Sequence, residues 1–132
     1  MGDNYYGTVD DLLDAAGRNR KRKRAPPGYH CDHIVELQLI VAAVNGMADP
    51  FGDGQMGQMI DFFQDKHNFQ QLPPGDNQRK RDAVTRLIQD LDLDYDDMQW
   101  IKNIQSKWIQ LRRQLSFIPA FVTSLDNILS VW

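Results

Sequence analysis

The chain has 132 residues, of which 42% are hydrophobic and 25% charged; this is the size and composition of one globular domain that buries roughly two-thirds of its unfolded surface. Its single cysteine, Cys31, excludes an internal disulfide and a multi-cysteine zinc site, and no apolar stretch reaches the roughly 18 residues that a membrane-spanning helix needs. The formal charge of −3, from 15 Lys and Arg against 18 Asp and Glu, argues as an average against nucleic acid.

The first residues, Met1-Gly2-Asp3-Asn4-Tyr5-Tyr6, hold no apolar run, which argues against a secretory signal. Tyr6 stands where myristoylation wants Ser or Thr. The expectation is an intracellular protein, or a piece of a longer one. Thr8 is placed to cap a short helix over residues 9–16, with Gly17 as its stop. Residues 18–24 then carry six cations in seven positions, and like charges this dense repel and stay solvated. Three readings stay open for this run: a solubilising strip, a nuclear-localisation signal, or an arm that binds phosphate.

Ala25-Pro26-Pro27-Gly28 breaks the chain. A short strand is predicted over residues 29–33. Residues 34–44 are apolar on most sides, and their length and the Ala42-Ala43 pair predict a buried helix, ended by Asn45-Gly46. Residues 49–57, with three glycines and Pro50, predict a loop. A short helix over 58–65 has Met59, Ile60, Phe62 and Phe63 as anchors. Residues 68–72 fit a short strand ended by Pro73-Pro74-Gly75. Asp76 is a good cap for a helix from 77 to about 90. Residues 90–97 hold five aspartates and read as a turn plus the start of the next helix, where acids suit the helix dipole. Ile101, Ile104, Trp108, Leu111 and Leu115 recur at steps of 3, 4, 3 and 4, one face of a long helix. Pro119 interrupts it, and Phe121, Leu125, Ile128 and Leu129 mark a final helix.

Five polar residues do not fit a bland core: Asp32, His33, Asn68, Asn77 and Lys80. Asp32 and His33 are adjacent, so on a strand they point to opposite faces, and a bend at the strand end is needed for both to serve one site. The alternative for this pair alone is a hydrogen-bonded anchor for a helix start. The pieces Asp32-His33-Ile34, Asn68-Phe69-Gln70-Gln71-Leu72 and Asn77-Gln78-Arg79-Lys80 follow one another along the chain. In that order they resemble the HNH nuclease family, also called the His-Me finger or ββα-metal fold. That family has Asp-His-Ile at the end of one strand, Asn-Leu-Gln-x-Leu on the next, and Asn-x-x-Lys opening a helix. Val35-Glu36-Leu37-Gln38-Leu39 is similar to a branch with Glu-Leu-Gln after the His.

The resemblance spans residues 29–81. Glu36 stands where the family usually has a proline, the zinc knuckles of many relatives are missing, and the segment between His33 and Asn68 is long. The implied fold is α+β and mostly helical: a short hairpin plus helix with a helical insertion, and a C-terminal helical bundle. The expected organisation is one domain over 1–132. Residues 1–28 form the N-terminal helix and basic arm, 29–81 the ββα-metal motif with its insertion, and 82–132 the C-terminal helices.

Phosphodiester hydrolysis needs an activated water, a cation on the phosphate and something to hold the leaving oxygen. The resemblance implies that Asp32 and Asn77 are metal ligands. Mg²⁺ is the expected ion, with Mn²⁺, Ni²⁺ or Zn²⁺ as alternatives, since a hard cation takes few protein oxygens and keeps waters. It implies that His33 is the general base, a role suited to a side chain with an unperturbed pKa of about 6.5. Asn68 is implied to hold the hairpin and orient the His. Lys80, Arg79 and Arg81 are placed to meet phosphate near a helix N-terminus. Glu36 is either a further ligand or a local hydrogen-bond acceptor. His30 either touches substrate or is an exposed strand-edge residue. His67, next to Asn68, is a rival for its role. Cys31 is expected in the core as a small hydrophobe.

The expected function is therefore a metal-dependent endonuclease that hydrolyses DNA, in the setting of a toxin or effector domain among others. A non-catalytic HNH-like module that binds protein or DNA is one alternative, and an RNase another. The expected partners are DNA, with RNA left open, and an inhibitor protein if the chain is a toxin; no membrane is expected. The basic run implies the nucleus in a eukaryotic host, and otherwise the cytoplasm or delivery into a target cell. Ten of the 15 cations fall in residues 18–24 and 79–86, so the average charge hides a basic band beside the expected site.

Overall fold

The computed structural model describes residues 5–17, 26–48 and 52–131, so the basic run at 18–24 lies outside the described residues. The described chain is α+β and mostly helical, with six α-helices and one two-stranded antiparallel sheet. Helix α1 (Val9–Ala15) starts at Thr8, whose Oγ1 accepts from the Asp11 N–H at 3.1 Å and so satisfies an amide that has no partner within the helix. Strand β1 (His30–His33) pairs with β2 (Phe69–Leu72), His30 opposite Leu72 and His33 opposite Phe69. Helices α2 (Leu37–Asn45) and α3 (Asp53–Phe63) lie between the strands in sequence. Helix α4 (Pro74–Ile88) follows β2 at once, then α5 (Tyr95–Leu111) and α6 (Pro119–Leu129).

Several element ends differ from the sequence expectation, each for a local reason. Helix α2 begins at Leu37 instead of residue 34. The Ile34 N–H bonds the Asn68 carbonyl at 2.7 Å, and both backbone groups of Val35 bond the Asn68 side chain, so neither residue is available to the helix. Asn68 itself closes a 3-10 turn, Lys66–Asn68, and the strand starts one residue later.

Helix α3 begins at Asp53, inside the expected glycine loop, and ends at Phe63. Met56, Met59, Ile60 and Phe63 repeat at helical spacing and are all buried. Each such side chain contributes roughly 1.5–3 kcal/mol on burial. That outweighs the ~1 kcal/mol of helix propensity lost at each of Gly54 and Gly57. Helix α4 begins at Pro74 instead of residue 77, because a proline in the first turn lacks only an N–H that has no helical partner anyway. Asp76 consequently lies in the first turn and is not the cap.

Gly46 ends α2 with ordinary right-handed geometry, φ −87°, so a left-handed cap does not explain it. A Cβ there would stand 3.0 Å from Ser124 Oγ, which donates to the Ala43 carbonyl at 2.6 Å. Close approach of α6 to the end of α2 is the reason for the glycine.

One hydrophobic cluster joins Leu12 and Leu13 of α1 to Leu125 and Leu129 of α6. The stripe Ile101, Ile104, Trp108, Leu111 and Leu115 is buried throughout, and Phe63, Trp108 and Phe121 form an aromatic centre with ring centroids 6.0–6.2 Å apart. The Trp108 indole N–H donates to Asp126 at 2.7 Å, and Arg112 pairs with the same carboxylate. A buried indole N–H thereby keeps a partner. Asp94 and Asp97 form a capping box on α5, and Arg86 of α4 grips Asp97 with contacts of 2.6 and 2.9 Å. This clamp braces α4 from behind, on the helix whose first half faces β1. No helix among the described residues is long and apolar enough to cross a membrane.

Candidate functional site

Residues two apart on a strand share a face, and so do residues three apart on a helix. His30 and Asp32 of β1 meet Asn77 and Lys80 of α4 in these two registers. The Asn77 side-chain N–H₂ donates to His30 Nδ1 at 3.2 Å, and Lys80 Nζ donates to Asp32 Oδ2 at 2.6 Å. Gln70, the cross-strand partner of Asp32, donates to the same oxygen at 3.1 Å. Lys80 is only 1% exposed. Its ammonium also donates to the His33 carbonyl and lies 3.6 Å from Glu36 Oε2. Glu36 accepts from Gln38 at 2.8 Å. Burial pushes the Glu36 carboxyl above the usual range, against the pull of the Lys80 charge and the Gln38 hydrogen bond.

His33 is held differently. Its Nε2–H donates to Gln64 Oε1 at 2.6 Å, and its ring lies 4.4 Å, centroid to centroid, from Phe69. Gln64 is the C-cap just after α3, so the insertion between the strands sets the imidazole. With Nε2 donating, the lone pair of the neutral ring is on Nδ1. The side chains of Asp32 and His33 thus make contacts on different elements, α4 for one and α3 for the other, as alternation along a strand requires.

Asn68 is fully buried. It accepts from the Val35 N–H at 2.9 Å and donates to the Val35 and Phe63 carbonyls, each at 3.0 Å. It ties the turn after β1 to the end of α3, and so places both His33 and Gln64. All of its described bonds go to backbone.

The remaining candidates separate. Lys80 is not a surface group facing phosphate; it is a buried partner of Asp32. Arg79 pairs with Asp76 at 3.0 Å on the exposed side of α4, and Arg81 is exposed. His67 bonds Asp65 at 2.7 Å, and that hydrogen bond holds the Asp65 carboxyl below its usual value; Asn68 alone makes the contacts to Val35 and Phe63. His30 is an exposed strand residue with Asn77 as its partner, and Cys31 is half-buried and not in the core. Sequence reasoning missed Gln64 and Gln70. Gln70 stands at the glutamine of the Asn-Leu-Gln-x-Leu piece but had no role assigned, and Gln64 belongs to no motif, because each acts across the sheet or from the insertion, 38 and 31 residues from its partner.

The donor set suits a hard cation. Asp32 Oδ1 and Asn77 Oδ1 accept no hydrogen bond from any described residue, since the contacts of these side chains run through Oδ2 and Nδ2. One charged and one neutral oxygen on adjoining elements are what Mg²⁺ commonly takes from a protein, the rest of its shell being water or phosphate. No group of three or more His, Cys, Asp or Glu among the described residues is arranged to enclose a metal. No family model matches the chain, and neither a curated protein nor a solved structure matches it.

Proposed function

We propose that the chain is an HNH-type, metal-dependent endonuclease that hydrolyses DNA phosphodiesters. The observation that supports this reading is the docking of α4 on β1 through Asn77–His30 and Lys80–Asp32, which brings the helix that carries Asn77 to the strand that carries Asp32 and His33. In this reading Asp32 and Asn77 hold a divalent ion, Mg²⁺ first among the choices, which supplies positive charge to the phosphate and the leaving oxygen. His33 takes the proton from the attacking water at Nδ1. Gln64 holds the ring in the tautomer that leaves Nδ1 basic, and the Phe69 ring limits its rotation. Asn68 fixes the backbone on which His33 is carried. Arg79 and Arg81, exposed near the start of α4, add positive charge along the path of a nucleic-acid backbone.

Purified protein with Mg²⁺ or Mn²⁺ is expected to nick supercoiled plasmid, and a chelator to stop it. His33→Ala is expected to lower the rate by about 100-fold or more, the usual scale for loss of a general base. Equal cleavage by wild type and His33→Ala under several metals would sink the reading. Digesting DNA and RNA side by side assigns the substrate, and cleavage of RNA alone would replace the DNA reading with that of an RNase.

A further inference from the structure

The Lys80 ammonium has three protons to donate and faces three protein oxygens: Asp32 Oδ2 at 2.6 Å, the His33 carbonyl, and Glu36 Oε2 at 3.6 Å. Two of the three belong to carboxylates, and with Lys80 1% exposed the ammonium is shut away from water. A buried ammonium persists only where charge and hydrogen bonds satisfy it. These are also the atom types that a divalent cation recruits: carboxylate and carbonyl oxygens converging on one point. Helix α4 delivers Asn77 and Lys80 one turn apart, so the neutral ligand and the ammonium arrive at fixed spacing along β1.

We propose that Lys80 is a positioning residue that serves as the built-in cation of the site. Its ammonium pins Asp32 by Oδ2, so that Oδ1 is the oxygen left for a metal, and it fills the place between Asp32, Glu36 and the His33 carbonyl where a second divalent ion would otherwise sit. Lys80 thereby restricts the site to one metal. The proposal rests on the reading above in taking Asp32 as a metal ligand. The place filled by the ammonium is defined by its three oxygens and stands independently of that reading. The cluster Asp32, Glu36 and Lys80 carries a formal charge of −1. Without the lysine it would carry −2, concentrated on oxygens already converging.

The test is the number of Mn²⁺ ions bound at saturation, counted from the electron paramagnetic resonance signal of the free ion. It compares the full wild-type chain, Lys80→Met and the double variant Lys80→Met/Glu36→Gln near neutral pH. Methionine keeps much of the lysine stem's volume and removes the charge. Lys80→Met is expected to bind one Mn²⁺ more than wild type, and the double variant to return to the wild-type count. Equal counts in wild type and Lys80→Met overturn the proposal, as does an extra ion that survives Glu36→Gln. A wild type that binds none, beside a Lys80→Met that binds one, would sink the metal reading of the native site and leave the cation role of Lys80 standing.

Lys80→Met brings two carboxylates together and has a folding risk of its own. Circular dichroism with and without Mn²⁺ decides that case. A chain unfolded alone and folded with Mn²⁺ supports the proposal, and a chain that stays unfolded with Mn²⁺ present overturns it. A residue that merely filled space would change stability without changing the ion count.

Discussion

Lys80 of α4 and Asp32 of β1 form a buried ion pair, 2.6 Å between Nζ and Oδ2, with side chains 1% and 11% exposed. The pair is the hinge between fold and site, because it docks the helix that carries Asn77 onto the strand that ends in His33. Burial makes the two charges dependent on one another. Lys80→Ala leaves Asp32 and Glu36 without their cation, and breaking a buried pair from one side costs about 3–5 kcal/mol. Urea unfolding in the absence of divalent metal is the measurement, and a loss under about 1 kcal/mol, the scale of an exposed pair, would contradict the burial argument.

Asn68→Ala is expected to destabilise the chain by roughly 2–4 kcal/mol, because it strands backbone groups of the buried Val35 and Phe63. The same substitution at His67, whose bond is to the half-exposed Asp65 and whose ring lies 4.7 Å from that of Phe62, strands no buried backbone group and should cost less than Asn68→Ala. Chemical denaturation of both variants checks the contrast, and equal losses would contradict it.

Gln64→Leu separates positioning from stability. It removes the acceptor for His33 Nε2–H while keeping a side chain of comparable bulk at the end of α3. On the proposed function, plasmid-nicking turnover is expected to fall by about 10–100-fold, the usual effect of losing an orienting partner. The melting temperature should change little. An unchanged rate in the plasmid assay would show that the ring needs no such partner.

The Arg86–Asp97 clamp predicts an acid limb. The hydrogen bond from Arg86 holds the Asp97 carboxyl below its usual value, against the opposing effect of desolvation. A depressed carboxylate contributes stability above the unfolded value of about 3.9 and loses that contribution as pH falls through the folded value. Asp97→Asn should therefore lower the melting temperature most near neutral pH, and the gap to wild type should narrow below about pH 4. A gap that stays constant from neutral to acid pH would mean the charge contributes nothing.

Helix-forming stripes were legible without coordinates. Ile101 to Leu115 repeat at helical spacing and are buried as that spacing requires, and Thr8 caps α1 through a hydroxyl three residues from its donor. Such signals are local, since the partner lies within a turn. The glycines of α3 misled for the complementary reason. Propensity is local, whereas the burial of Met56, Met59, Ile60 and Phe63 that overrides it is not.

The candidate residues divide the same way. The chemical types of Asp32, His33, Asn68, Asn77 and Lys80 and their order along the chain are properties of the sequence. What each one touches is not. Lys80 reads as a phosphate contact from its place near a helix start, and only packing of α4 on β1 turns it inward to Asp32, 48 residues away. Gln64 carries no motif at all, and meets His33 because the 3-10 turn at Lys66–Asn68 folds the end of α3 back beside β1. Sequence determined the periodic elements and the chemistry on offer, through interactions within a turn or a strand. The tertiary structure alone decided which charge is buried, which oxygen is left over and which face the imidazole takes, because each depends on groups brought together from distant parts of the chain.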